Sequence, residues 1–319
     1  MSKNILVLGA SGFIAGHLID SLLADNHIIH TASSKPLTRH TNTKHYIGNL
    51  TDQHFVTMLF RQAVYDEVYM LASVNGGSNY INAGTYDADI MSDSMLMTIH
   101  VAKCCVEYKA KCLFFPSSAC VHSSNTDNNT NNTDITDKYC ENEYGWTKLF
   151  TERMLMAFKN QYGLKVRIAR LYNIVGEYAV WQGGLEKAHA ALARKVAMAE
   201  DGGTIDIVGD GQQLRSFLHA KDCVKAMRMM MMSDCEEILN IGSDEAISIN
   251  DYVKLLSVIS NKSIHINYID GPTGIKERRC DVSKIKMLLG WERTYSLYDT
   301  TRMTYDYIVG ELKKRTDAL

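Results

Sequence analysis

A chain of 319 residues, 46% hydrophobic and 22% charged, has the composition of a folded globular protein and the length for one two-part unit or two modest domains. A formal net charge of −2 excludes a general nucleic-acid-binding surface, and no apolar run reaches the roughly 20 residues that a membrane span needs. The eight cysteines include no CxxC and no Cys/His ligand spacing, so reduced thiols, no metal site and a cytoplasmic chain are expected.

Lys3 to Leu8 is a short apolar strand, with no basic and apolar leader of the kind a secretion signal carries. Gly9-Ala10-Ser11-Gly12-Phe13-Ile14-Ala15-Gly16 follows directly, after which Ile14, Leu18 and Leu22 recur at helical spacing. A glycine loop between a strand and an amphipathic helix marks a dinucleotide site. Gly9 allows the tight turn and Gly12 lets the backbone approach a diphosphate. The helix start, with Ser11, Phe13 and Ile14, offers free N–H groups and a positive dipole end.

The second strand, His27 to Ala32, ends in Ser33-Ser34-Lys35. An acid there would bind the adenosine ribose 2′-hydroxyl of NAD. Two hydroxyls and a lysine, with Arg39 nearby, suit a phosphate instead and favour NADP over NAD. Tyr46 to Asp52 is a strand end from which Asn49, beside Leu50, reaches the adenine amino group. Val68 to Ser73 is the fourth strand, and its closing Leu71, Ala72 and Ser73 let the cofactor lie close. Gly76-Gly77-Ser78 is expected to be a flexible loop over the site.

Residues 87–108 form a long helix with Ile90, Met97, Val101 and Cys104 inward. Cys112 to Phe115 is the fifth strand, delivering Pro116, Ser117, Ser118, Ala119 and Cys120. Residues 122–143 have no apolar period and are expected to be an exposed loop. Glu143-Tyr144-Gly145-Trp146-Thr147-Lys148 then opens a helix that puts Tyr144 and Lys148 on one face. A free phenol has a pKa of about 10, and a neighbouring ammonium or a positive nicotinamide favours its charged form. That turns an inert phenol into a proton acceptor. Lys165 to Leu171 is a further strand.

Strand and helix alternate through residue 171, which implies an α/β fold with a doubly wound parallel sheet. Beyond Asn173 the chain changes to Gly-rich turns, isolated helices and short strands, a smaller mixed lobe over the strand ends. The expected division is a dinucleotide domain, 1–172 with about 217–242, and a ligand lobe, 173–216 with 243–319. Met229 to Met232, striped into a helix from Lys221, are expected to be core.

The glycine loop, Ser118 and Tyr144-x-x-x-Lys148 in this order resemble the extended short-chain dehydrogenase/reductase family, whose dinucleotide domain is a Rossmann fold. Ser117 to Cys120, Leu171 to Gly176, Trp181 to Ala188, Gly209 to Phe217 and Leu239 to Glu245 narrow the likeness to the nucleotide-sugar epimerase branch, and there to the GDP-mannose 3,5-epimerases. The resemblance implies a GDP-sugar substrate and tightly bound NAD(P). Tyr144 would take the proton of the sugar 4-hydroxyl, Lys148 would hold the nicotinamide ribose and lower the phenol pKa, and Ser118 would bond the reacting oxygen. Cys120 and Lys187 match an acid/base pair on the two faces of the sugar. Gly76, Gly77, Ser117, Asn173, Glu186, Ala188, Lys195, Gln213, Arg215 and Arg278 match positions that hold the nucleotide diphosphate or sugar.

Oxidation at C4 acidifies the hydrogens on C3 and C5, and inverting a carbon needs a base on one face and an acid on the other. The chain departs from the family at Ser33, Asp93, Ser94, Val121 and His122. A GDP-sugar 4-dehydrogenase such as one for GDP-heptose, a simple 4-epimerase and a non-catalytic NAD(P)-sensing module are the competing readings. The first two have no use for Cys120 with Lys187, and the third none for Tyr144 with Lys148. A homodimer through the long helix and the tyrosine helix follows by analogy with the family.

Overall fold

The computed structural model describes residues 2–40, 42–122, 140–271 and 275–317. The first half runs β1 (Asn4–Leu8), α1 (Phe13–Leu23), β2 (Ile28–Ser33), β3 (Lys44–Ile47), α2 (Gln53–Phe60), β4 (Glu67–Met70), α3 (Ser78–Ile81), α4 (Asp87–Glu107), β5 (Leu113–Ser118), α5 (Glu143–Tyr162) and β6 (Val166–Leu171). It continues with β7 (Ile174–Val175), α6 (Ala188–Met198), β8 (Thr204–Val208), β9 (Leu214–Ser216), β10 (Leu218–His219), α7 (Ala220–Met232) and β11 (Leu239–Ile241). The chain closes with β12 (Ala246–Ser248), α8 (Ile249–Ser260), β13 (His265–Ile269), β14 (Glu277–Arg278), α9 (Ser283–Leu289) and α10 (Leu297–Thr316).

β1 is buried and almost wholly apolar because it lies at the centre of a parallel sheet covered on both faces. Seven strands pair in the order β11-β6-β5-β4-β1-β2-β3, every pair parallel, so the chain winds outward twice from β1. One core, with Leu18, Leu22, Val224 and Met227, packs α1 and α7 on one face. Another, with Leu59, Val101, Cys105 and Leu155, packs α2, α4 and α5 on the other. A third core, around Trp181, Val196, Tyr252 and Ile308, belongs to α6, α8 and α10 beyond the sheet.

The long helix, the tyrosine helix and the first, second and sixth strands stand where the pattern placed them, to within a residue, whereas β3 ends at Ile47 and not near Asp52, and β5 runs on to Ser118. Leu71, Ala72 and Ser73 lie just past β4, which ends at Met70. Met230 and Met231 are buried as expected, but Met232 is 65% exposed, since it ends α7 and turns outward. Most of the expected loop at 122–143 lies outside the described residues. Among the described residues no helix is long and apolar enough to cross a membrane, and no cluster of His, Cys, Asp and Glu could hold a metal.

Candidate active site

At the carboxyl ends of β1, β4 and β5 the chain encloses a cavity of about 550 Å³. Of the expected cofactor residues, Gly9, Ser11, Gly12, Phe13, Ile14, Ser33, Ser34, Asn49, Leu50, Leu71, Ala72 and Ser73 line it. Gly9 has φ +81°, and a Cβ there would stand 2.6 Å from the backbone N of Ala72. Gly12, the N-cap of α1, has no side chain to bond the first N–H groups, which leaves them directed at the cavity. This cradle fits a dinucleotide diphosphate.

At the other end of this trough Ser33 Oγ donates to Lys35 O (2.6 Å) and Asn49 Oδ1 accepts from Thr51 N (3.0 Å), so both polar side chains are engaged within their own turns. Lys35 is exposed and lies outside the cavity wall. Arg39 is turned away, bonded to Asp20 at 2.7 Å and stacked 3.5 Å from the centre of the Tyr178 ring.

α5 brings the tyrosine and lysine in. Asn142 Oδ1 caps the helix by accepting from Gly145 N (2.9 Å), and a Cβ on Gly145 would lie 2.1 Å from Cys120 O. Only glycine lets the helix start press against the strand end that carries Ser118 and Cys120. Tyr144 is half-buried and lines the cavity together with Ser118, whose hydroxyl accepts from Cys120 N (3.2 Å). Lys148 is 4% exposed; its Nζ donates to Pro116 O (2.9 Å) and sits 5.5 Å from the Tyr144 ring centre.

Burial pushes the Lys148 ammonium down to about 8, against the pull of Cys120 and Glu152. Burial also raises the Tyr144 phenol well above its ordinary value, Cys120 adding to the rise and Ser118 opposing it. Without a nicotinamide ring beside it the phenol is held neutral, because desolvation outweighs a lysine already bonded to a carbonyl. Behind this pair, Glu152 accepts from Ser117 Oγ (2.5 Å), Arg170 Nε (3.0 Å) and Arg170 Nη2 (2.8 Å), an ion pair buried against β5 and β6.

Gly76, Ser117, Ser118, Asn173 and Lys187 line the same cavity. Cys120, 4% exposed, lies behind the Tyr144 side, and Arg278 Nη1 donates to its sulfur at 3.8 Å. Burial raises the Cys120 thiol, Arg278 draws it down and Glu141 raises it again. Lys187 touches the open space of the cavity yet has protein close around it. Its ammonium is lowered by that enclosure, raised by Cys120 and lowered by Arg278. Cys120 thus acts on the charge of Tyr144, Lys148, Lys187 and Arg278, the first three of which line the cavity.

Other expected ligand residues stand elsewhere. Glu186 accepts from Gly184 N (2.6 Å) and Arg194 Nη2 (3.1 Å), shaping the turn before α6, and Ala188 opens that helix. Gly77, expected in a flexible loop, donates its N–H to Leu185 O (3.0 Å), and a Cβ on it would lie 2.6 Å from Glu186 O. Lys195 Nζ donates to Asp206 O (2.6 Å), away from the cavity, and Gln213 Nε2 to Val208 O (3.3 Å). Arg215 donates to Leu214 O (2.8 Å) and is depressed by burial and by Arg278.

Two residues escaped the sequence reading. His189, 2% exposed on the cavity wall, has a buried Nε2 with no hydrogen-bond partner, and burial with Lys187 pushes its pKa down to about 3. Its place two residues after Lys187, at a helix start, was the available signal. Glu141 pairs with Arg278, a contact 137 residues apart that no local pattern announces.

A profile of the NAD dependent epimerase/dehydratase family matches residues 5–242. GDP-mannose 3,5-epimerase 1 of Oryza sativa subsp. indica is 30% identical over 318 residues, covering 98% of this chain and 83% of that protein. Among solved structures, UDP-glucose 4-epimerase of Thermotoga maritima superposes with a TM-score of 0.86 at 24% identity, over 97% of this chain and 99% of that one. UDP-glucuronic acid 4-epimerase of Bacillus cereus, in complex with UDP-glucuronic acid and NAD, gives 0.84 at 23% identity, over 97% and 99%.

Proposed function

The chain belongs to the NAD dependent epimerase/dehydratase family, enzymes that work on nucleotide sugars with a nicotinamide cofactor, and from that premise we propose an epimerase of the GDP-mannose 3,5-epimerase type. The observation that supports this reading is that Lys187, Tyr144 and Ser118 line one cavity, with the buried Cys120 next to Ser118. A bare 4-epimerase or a 4-dehydrogenase would need only Tyr144 and Ser118.

An oxidised nicotinamide, held by Gly9, Gly12 and Lys148, would supply a reversible hydride acceptor for the sugar's C4. Tyr144 takes the proton of the 4-hydroxyl. The surrounding side chains raise its pKa, so it needs the further positive charge that the ring provides. Ser118 bonds the same oxygen, and Lys148 holds the ribose side. With C4 a ketone, Cys120 and Lys187 move protons at C3 and C5 from opposite faces. Arg278 favours the thiolate, while enclosure brings the lysine towards neutrality.

In this reading residues 173–216 and 243–319 form the nucleotide-sugar lobe. Asn173 on the cavity wall and Arg278 against the Cys120 sulfur are its proposed contacts with the sugar or diphosphate. NADP remains the proposed preference, because Ser33, Ser34 and Lys35 offer no carboxylate to repel a 2′-phosphate. A homodimer is proposed through α4 and α5, whose outer surface exposes Leu96, Trp146 and Phe150; a monomer by light scattering would refute it.

The test is NMR of GDP-mannose with the protein in D₂O. Deuterium is expected at C3 and C5 with no net accumulation of reduced cofactor. Cys120→Ala should lower that exchange by about 10²–10⁴, the range for one positioned acid or base, and leave C4 oxidation measurable. Absence of exchange with the unaltered protein would refute the reading.

A further inference from the structure

Cys120 has no direct path for its proton to water: its side chain is buried and a guanidinium lies against it. Glu141 supplies a path. Its backbone N donates to Cys120 O (3.1 Å), and its carboxylate pairs with one terminal nitrogen of Arg278 while the other donates to the Cys120 sulfur (3.8 Å), so a single guanidinium holds thiol and carboxylate side by side. The Glu141 and Arg278 side chains are 15% and 18% exposed, so the carboxylate bridges the buried sulfur and the edge of the cleft. Thiol, carboxylate and guanidinium share a single mobile proton. With the proton on sulfur, the carboxylate is the anion facing Arg278. With the proton on the carboxyl, the thiolate is. The trio carries no net charge in either arrangement, so neither strands an unpaired charge in a buried place.

We propose that Glu141 is the proton relay of Cys120, taking the thiol proton before the sulfur acts as a base and returning it afterwards. In the forward step the S–H bond breaks and an O–H bond forms on the Glu141 carboxyl. One negative charge passes from oxygen to sulfur, with Arg278 against both, and nothing is oxidised or reduced. The proposal rests on the role given above to Cys120. The other groups that act on the sulfur are Ser118 from β5, Tyr144 and Lys148 from α5, Lys187 ahead of α6 and Cys140 beside the cap of α5.

The experiment compares the unaltered protein with Glu141→Gln and Glu141→Asp, using GDP-mannose at saturation in D₂O. Glu141→Gln can still bond Arg278 but takes no proton, and is expected to slow C–H exchange about 100-fold. Its KM should stay within about threefold, and nicotinamide reduction on mixing should persist as evidence that the protein is folded and binds. Glu141→Asp keeps a carboxyl and should retain several times the exchange of the Gln variant. A Gln variant with a raised KM and full exchange at saturation would make Glu141 a mere holder of Arg278 and overturn the relay. So would full exchange with the pH profile moved to lower pH, the mark of a charge effect alone, or an Asp variant as slow as the Gln variant. No exchange in the unaltered protein sinks the 3,5-epimerase reading and the relay together. Exchange that Glu141→Gln leaves intact sinks the relay alone.

Discussion

At the scale of the residue, a buried polar atom without a partner is the clearest mark of a ligand. Leaving one unmatched costs about 1–3 kcal/mol. His189 bears that cost at Nε2 on the cavity wall, and its pKa of about 3 keeps the imidazole neutral at any working pH. A neutral ring donates through one nitrogen and accepts through the other, complementing the cations around it. His189→Phe is expected to weaken GDP-sugar binding about tenfold while the fold persists, measured by calorimetry; unchanged affinity would remove the residue from the site. The unaltered protein should show no step from this histidine in affinity between pH 5 and 8. Tyr144 carries the opposite lesson. Its spacing from Lys148 was legible, but the sign of its shift was not, because desolvation depends on everything packed around the phenol.

Among the elements, what was legible was local. A continuous apolar β1, a glycine loop and a 3.6-residue period after it are adjacent in the chain and announce one another. So does the cap-tyrosine-glycine start of α5. What was hidden was the pairing across the sequence that fixes these elements together. Glu152 on α5 and Arg170 on β6 form a bidentate pair with side chains 3% and 1% exposed. It ties the helix carrying Tyr144 to the strand beside Ser117. Arg170→Met leaves a buried carboxylate with no counter-charge, bonded only to Ser117, and is expected to cost about 3 kcal/mol of stability in denaturant unfolding. Glu152→Leu combined with Arg170→Met should be less costly than Arg170→Met alone. Additive losses would argue against a mutual pair. Glu186, Lys195 and Gln213 illustrate the same limit, since a matching motif does not say which way a long side chain turns.

For the whole molecule, the buried histidines decide the response to acid. Burial lowers His17, burial with Arg170 and Arg278 brings His122 to about 4, and burial with Lys187 brings His189 to about 3. The unfolded chain protonates imidazole near pH 6.5. Between there and about 4 the unfolded state binds more protons, so stability falls as pH falls. Glu177 adds to this lower down. Burial opposes its charge, but the His219 hydrogen bond holds it at about 2, so its contribution is complete above its ordinary 4.5 and lost as pH drops towards 2. The melting temperature should therefore decline from about pH 6.5, before the carboxylates titrate, and His122→Asn should flatten part of that slope. A level melting temperature down to pH 5 would contradict it. Gly77, bonded to Leu185 and flush against Glu186, has a larger meaning at this scale. Main chain from the sheet half meets main chain from the lobe half there as a seam with no slack. A side chain larger than hydrogen at Gly77 would push the two main chains apart, and with them the stretch that leads to Lys187 on the cavity wall.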